Sequence, residues 1–316
     1  MSFFLVSYGG LTGAIDENGK IVIEPRFESL RRFSENRAAY LSRGKYGIID
    51  GTGSIVCEPI FDEAGGFHNG LMRVKQKGKY GFADLDGNLR VPCRYFSVGP
   101  FANNRAAVQE GIVSKWGYVD SLGNEVISPQ YTSAYRFTEN LAAVEILNPK
   151  GSLLISGYIG LSGNFEIEPR FSLAYSFAEG LAAAAIDRKA SKLGFIDHTG
   201  AFVIPTEFNG SDVKFSEGLA AIWSSSGFGY IDHEGKIVIP CQFYFGDHFS
   251  CGLALVNVGD QQNGKYGYIN RSGTLVIEPV FESATAFENG LAFVRSSGVS
   301  GYIDTCGKWV WKDCSN

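Results

Sequence analysis

The stretch GYIDHEGKIVIP, residues 229–240, decides how the rest of the chain is read. Two apolar runs flank D-H-E-G, and near-copies stand at residues 47–59 (GIIDGTGSIVCEP), 194–205 (GFIDHTGAFVIP) and 267–279 (GYINRSGTLVIEP). A catalytic phrase is needed once or twice, whereas one spoken throughout a chain builds the chain. Aligned on the glycine that opens it, the phrase recurs at Gly13, Gly47, Gly81, Gly117, Gly157, Gly194, Gly229, Gly267 and Gly301, at spacings of 34 to 40 residues. Such a period marks a solenoid, propeller or array whose units bury their surface on their neighbours.

Within a copy, D-x-x-G joins two apolar strands. The Asp side chain accepts a backbone N–H inside the turn, and the glycine supplies the left-handed conformation of a hairpin loop with a bulge. The glycine is present in all nine copies, whereas the Asp gives way to Gly160 and Asn270, both of which also suit turns. Eight residues after each turn glycine except the last comes an aromatic, from Phe27 and Phe61 to Phe171, Phe208, Phe243 and Phe281. The proline before it floats by one residue, so the aromatic reads as the packing anchor and the proline as a strand stop. A second aromatic follows, from Phe33 to Phe287, and its one-residue displacement at Phe215 implies an insertion in FNGSDVKF.

The architecture expected from this pattern is all-β. One array over residues 1–316 would hold about nine three-stranded antiparallel meanders, at residues 3–23, 38–57, 71–91, 106–127, 142–167, 182–204, 220–239, 254–277 and 292–311. Connectors of roughly 14 residues would carry the aromatics from unit to unit. Because the chain opens on a first strand and closes on a third, the units are expected to stack as an open solenoid or superhelix, with a closed propeller-like ring as the alternative.

Composition agrees: 40 glycines and 14% aromatics against 19% charged residues suit short strands and tight turns. A net charge of -5 gives no field to gather nucleic-acid phosphates, so no nucleic-acid partner is expected. No apolar run approaches a membrane span and MSFFLVSYGG lacks the features of a secretory signal, so no membrane partner and a cytoplasmic location are expected. The six cysteines have no metal-ligand spacing and read as reduced core or surface residues.

The phrases KWGYVDSLGNEVISPQY and KYGYINRSGTLVIEPVFESATAFENGLAFV resemble the WG repeat, also called the KWG repeat, in the aromatic-Gly pair, the D-x-x-G turn, the proline, the aromatic after it and F-x-x-G-L-A. Only Trp116 supplies the namesake residue; other copies use Tyr, Phe or Leu. The resemblance covers nearly the whole chain and implies a bacterial all-β repeat protein with an interaction role and no catalytic residues to carry over.

Chemistry is expected to be sparse. The ladder of turn Asp residues is explained by fold periodicity. His198 and His233 share one turn position in consecutive units without further ligands for a metal, and His68 and His248 stand at the second aromatic as packing partners. No nucleophile elbow, Walker loop, Rossmann fingerprint or zincin motif stands in context, so no enzyme activity, cofactor or metal is expected. Candidate contacts to a protein partner fall in the loops of unequal length before the aromatic-Gly pair: Asn148 and Lys150 in one, Asp187, Arg188 and Lys189 in the next, Asp260, Gln261 and Gln262 in a third. Arg37 and Arg105, which replace the Leu of sister copies, add two cationic spots. The function this favours is a non-enzymatic scaffold that binds a protein partner through those loops. An immunity or inhibitor protein against a toxin, an enzyme or small-ligand ring with a central site, and a glycan binder are the alternatives.

Overall fold

A computed structural model of the protein describes residues 2–151, 153–187, 192–209, 213–260 and 263–313. Among these no helix occurs, and the strands form nine separate antiparallel sheets, eight of four strands and the first of three. The chain divides into two compact units, Met1–Pro169 and Arg170–Asn316. Sheets one to five build the first, with the last strand of the fifth, Phe165–Phe171, running across the boundary, and sheets six to nine build the second.

The second sheet shows the plan. Its strands Ser29–Leu30, Arg37–Ser42, Lys45–Asp50 and Ile55–Phe61 lie in chain order, each beside the next. The last three were expected. The first was not, because it is cut from what reads as connector. It turns back at Glu35 and Asn36, whose φ values of 54° and 58° make a two-residue hairpin of the mirror-image type, with Ser34 and Arg37 exchanging both backbone hydrogen bonds at 2.9 and 3.0 Å. The same device recurs at Asn103–Asn104, Glu139–Asn140, Glu179–Gly180 and Asn289–Gly290. The three-stranded meander is thereby corrected to a four-stranded one, the blade of a β-propeller. Such blades agree with the propeller-like alternative and not with the open superhelix.

The glycine of the aromatic-Gly pair has a reason that the turn does not supply. Across the third and fourth strands of the seventh sheet, Phe228 pairs with Phe243 and Tyr230 with Ile239. Gly229 alone therefore faces Pro240, Cys241 and Gln242, a bulge that bends the fourth strand over it. A Cβ on Gly229 would lie 2.6 Å from the Ile239 carbonyl oxygen and 2.7 Å from the Cys241 nitrogen. Gly117, Gly157, Gly194 and Gly267 meet the same carbonyl at 2.5–2.7 Å. The bulge also explains the floating proline. Its residues lie outside the ladder, so Pro240 at its first position and Pro59 at its second break no strand pairing.

Neighbouring sheets are joined by repeated contacts. The turn glycines hold φ between 79° and 87°, and they lie against the fourth strand of the sheet before, as Gly163 does on Ile127, Gly273 on Ile239 and Gly307 on Ile277. The carbonyl of such a glycine accepts from the preceding sheet, from Arg26 to Gly53 and from Arg170 to Gly200, both at 2.6 Å. Anchor aromatics seal these interfaces. Phe61, Phe171 and Tyr131 are buried, as are the second aromatics Phe67, Phe137 and Phe249, whereas Phe208 and Phe33 are half-buried. One core cluster shows the sharing, running from Ala39, Ile48 and Phe61 of the second sheet to Phe67, Met72 and Val74 of the third.

Candidate functional site

Antiparallel strands give every sheet two ends. One carries the D-x-x-G turns and the two-residue hairpins, the other the loops that precede the aromatic-Gly strand. The two are chemically unlike.

At the turn end many side-chain acceptors are occupied by backbone N–H groups. Asp232 Oδ1 accepts the backbone N–H of Glu234 at 3.0 Å and of Lys236 at 2.9 Å, and Asn270 Oδ1 accepts the same pair from Ser272 and Thr274 at 3.0 Å. Thr52 and Thr199 add hydroxyl bonds to Asp50 and Asp197, which hold both carboxyls below the usual carboxylate range. The hairpin glutamates link sheet to sheet: Glu35 accepts the Gly70 N–H at 2.8 Å, Glu179 that of Gly218 and Glu217 that of Gly252, both at 2.9 Å.

The histidines are placed by rings. His198 stacks on Phe177 at 4.5 Å and His233 on Phe215 at 4.1 Å, with His233 Nε2 3.5 Å from the Glu179 carboxylate. Among the described residues no group of three His, Cys, Asp or Glu is placed to hold a metal. The packing role expected of His68 and His248 does not hold: His68 is exposed, and His248 Nδ1 pairs with Asp247 at 2.7 Å.

Arg37 and Arg105 also stand at this end, where each follows its hairpin. Arg37 Nε donates to the Leu85 carbonyl of the next sheet at 3.1 Å. Arg105 donates to Asn104 at 3.2 Å, while its Nε is buried with no hydrogen-bond partner among the described residues.

The loop end differs. Asn148 closes its loop by donating its backbone N–H to Leu153 and accepting that of Lys150 on Oδ1, both at 2.9 Å, and leaves Lys150 exposed. Asp260 accepts the Asn263 N–H at 2.8 Å, and Asp187 is exposed. Arg188, Lys189, Gln261 and Gln262 lie outside the described residues, as does the insertion at 210–212. The predicted residues that are described are thus split, with Arg37 and Arg105 at one end and Asn148, Lys150, Asp187 and Asp260 at the other.

Composition had not singled out the apolar residues here. In the fourth sheet the loop at 110–115 is held by Ser114 N–H on the Gly111 carbonyl at 2.9 Å and by the Gln109 side chain on the Ser114 carbonyl at 2.7 Å, and it presents Ile112, 73% exposed, and Val113, 95% exposed. In the fifth sheet the Asn148 loop presents Leu147 and Leu153, the latter 71% exposed. Single exposed aliphatic side chains are ordinary on a protein surface, so it is the grouping of Ile112 with Val113 in one loop, and of Leu147 with Leu153 in the loop of the next sheet, that makes this end the candidate. The sequence signal was the apolar content of EGIVSK and NPKGSLLIS.

The model of the WG containing repeat matches residues 13–46, 46–80, 80–111, 116–148, 157–189, 194–222, 228–265 and 266–298. No curated protein matches the sequence. Among solved structures, dipeptidyl peptidase 4 of Porphyromonas gingivalis is similar at 9% identity over 95% of this chain and 64% of that one, with a TM-score of 0.56, a likeness of fold alone. Apo AztD from Citrobacter koseri is 13% identical over 99% of this chain and 94% of that one, with a TM-score of 0.47. The β-propeller domain of the Trilobed protease from Pyrococcus furiosus is 10% identical over 81% and 98%, with a TM-score of 0.40.

Proposed function

The chain belongs to the family of WG containing repeats, and from that premise we propose that it is a non-enzymatic scaffold whose sheets hold loops of unequal length for a protein partner. The observation that carries this reading is the contrast between the ends. Turn-end carboxylates such as Asp232 and Glu217 are spent on backbone N–H groups, whereas two hydrogen-bonded loops in consecutive sheets expose Ile112, Val113 and Leu153. Anchors on hydrogen-bonded loops lower the entropic cost of association, and the charges of Lys115 and Lys150 beside them suit an acidic rim on the partner.

The test is a triple variant, Ile112→Ser, Val113→Ser and Leu153→Ser, compared with wild type in affinity capture from the native host and then with the purified partner. Binding is expected to weaken at least about tenfold while the thermal midpoint stays put, since exposed side chains contribute little to folding. A partner held equally by the triple variant, and released by Asp232→Ala at the other end, overturns the assignment.

A further inference from the structure

The two ends of the sheets differ in charge as well as in hydrogen bonding. In sheets two to five, all begun within the first compact unit, the loops before the aromatic-Gly strand carry Arg43, Lys45, Lys77, Lys79, Lys115 and Lys150, every one exposed, against the carboxylate of Glu110. The connectors at that end add Glu28, Asp62 and Glu63, which leaves six cations to four carboxylates. At the other end, the turns and hairpins of the same four sheets carry Asp50, Asp84, Asp86, Asp120, Glu35 and Glu139 against Arg37 and Arg105, two cations to six carboxylates. Accepting a backbone N–H fixes such a carboxylate and favours its charged form. The net charge of -5 therefore conceals a polarity along the strands.

Aliphatic side chains accompany both signs of charge. Ile112, Val113, Leu147 and Leu153 are exposed in the loops. In or beside the turns stand Ile55, Leu89, Leu122 and Leu161, with Leu122 63% exposed. A basic and apolar end is thus matched, in composition, by an acidic and apolar one.

Spacing favours a second copy over an unrelated acidic partner. Loops and turns belong to the same sheets, so both recur at one sheet-to-sheet distance, about 10 Å for packed sheets. A foreign surface would have to reproduce that interval; another copy has it by construction. Two like ends brought together would set cation against cation or carboxylate against carboxylate, which is repulsive.

We propose that the protein associates with itself head to tail, the loop end of sheets two to five in one copy seated on the turn end of those sheets in the next. This rests on the loop end being the recognition surface, as read above, and names its partner. Exposed ion pairs are individually weak, so charge sets the polarity of the contact and the aliphatic side chains hold it. Such a contact is heterologous. Each pair keeps one free end of either kind, so copies add in an open series and do not stop at two.

The test is sedimentation velocity of the full chain from about 1 to 200 µM, in roughly 20 mM and roughly 500 mM salt. At low salt the average mass is expected to climb past two chains with concentration, and the association constant to fall at least about threefold at high salt, since exposed charges are screened. Two variants reverse the ends separately: Lys77→Glu, Lys79→Glu, Lys115→Glu and Lys150→Glu at the loops, and Asp86→Lys, Asn88→Lys, Asn124→Lys and Glu125→Lys at the turns. Lys already stands at the position of Asn88 and Asn124 in other sheets, as Lys20 and Lys236, so the turn tolerates it. Each variant alone has two ends of one sign and is expected to stay monomeric, while an equimolar mixture is expected to recover wild-type association, a result that unfolded variants could not give. A wild type that remains monomeric at low salt overturns the proposal, as do a mass that levels at two chains, a reversed variant that associates alone like wild type, or a mixture no heavier than its components. A monomeric wild type whose host partner is still lost on Ile112→Ser, Val113→Ser and Leu153→Ser overturns self-association alone and leaves the loop-end reading standing.

Discussion

Replacing Gly229 by Ala is a sharper test of the sheet than replacing the turn glycine. The new methyl carbon would stand 2.6 Å from the Ile239 oxygen, 2.7 Å from the Cys241 nitrogen and 2.9 Å from the Cys241 Cα, all backbone and all inside the roughly 3.5–4.0 Å of favourable contact. No rotamer relieves this, so the bulged strand must move. Overpacking of this kind costs roughly 1–3 kcal/mol, and each strand hydrogen bond lost in the movement adds about 1. The total is about 2–4 kcal/mol. Gly235 is different: its φ is 79°, for which an L side chain costs roughly 1–2 kcal/mol, and its methyl would meet Ile204 Cγ2, a side-chain atom able to turn aside. Glu234→Ala, at an exposed neighbour, should stay within about 0.5 kcal/mol of wild type. Urea midpoints at unchanged slope, followed by far-UV circular dichroism, rank the three. A Gly229→Ala protein within about 0.5 kcal/mol of wild type, or one less affected than Gly235→Ala, would refute the bulge as the reason for the glycine.

Phe171→Ala removes a fully buried anchor whose ring lies 6.0 Å from that of Phe202 and under the Arg170 guanidinium; the expected cost is roughly 3–5 kcal/mol by denaturant titration. Asp232→Asn should be nearly silent, because Asn270 accepts the same two N–H groups in its own turn, whereas Asp232→Ala should destabilise by about 1 kcal/mol or more. Asp50 and Asp197 have folded pKa values below their unfolded ones, so the stability they lend is full above about pH 4 and is lost as the pH falls through the folded values. Asp50→Asn should flatten that acid limb in midpoints measured from pH 5 downward.

In the four-stranded sheets three strands were legible because their signals are local. Apolar runs such as IVIP and a D-x-x-G turn need no partner to be recognised. The first strand was lost because it is two residues long in most sheets, Ser29–Leu30 or Leu173–Ala174, and carries no alternation. Its hairpin was nevertheless written out in dipeptides such as Asn69-Gly70 and Asn289-Gly290, the strongest short signal for a mirror-image turn. The aromatic-Gly glycine was visible and its cause was not, since the carbonyl that excludes a side chain arrives ten residues later, from Ile239 to Gly229. Of the candidate site, loop position was readable from length variation. The exposure of Ile112 and Val113 depends on what neighbouring sheets do and do not cover.

The contacts that join one sheet to the next also set how the chain can assemble. Arg26 reaches Gly53 across 27 positions, Tyr131 reaches Gly163 across 32, Glu35 reaches Gly70 across 35 and Glu179 reaches Gly218 across 39. Each link spans about one repeat. Contacts of such short reach favour fast folding, and at synthesis rates of roughly 5–20 residues per second a new sheet leaves the ribosome every few seconds. A sheet can therefore dock on the one made just before it, setting its turn glycine and that glycine's carbonyl against residues already made, while its hairpin carboxylate waits for an N–H in the next few dozen.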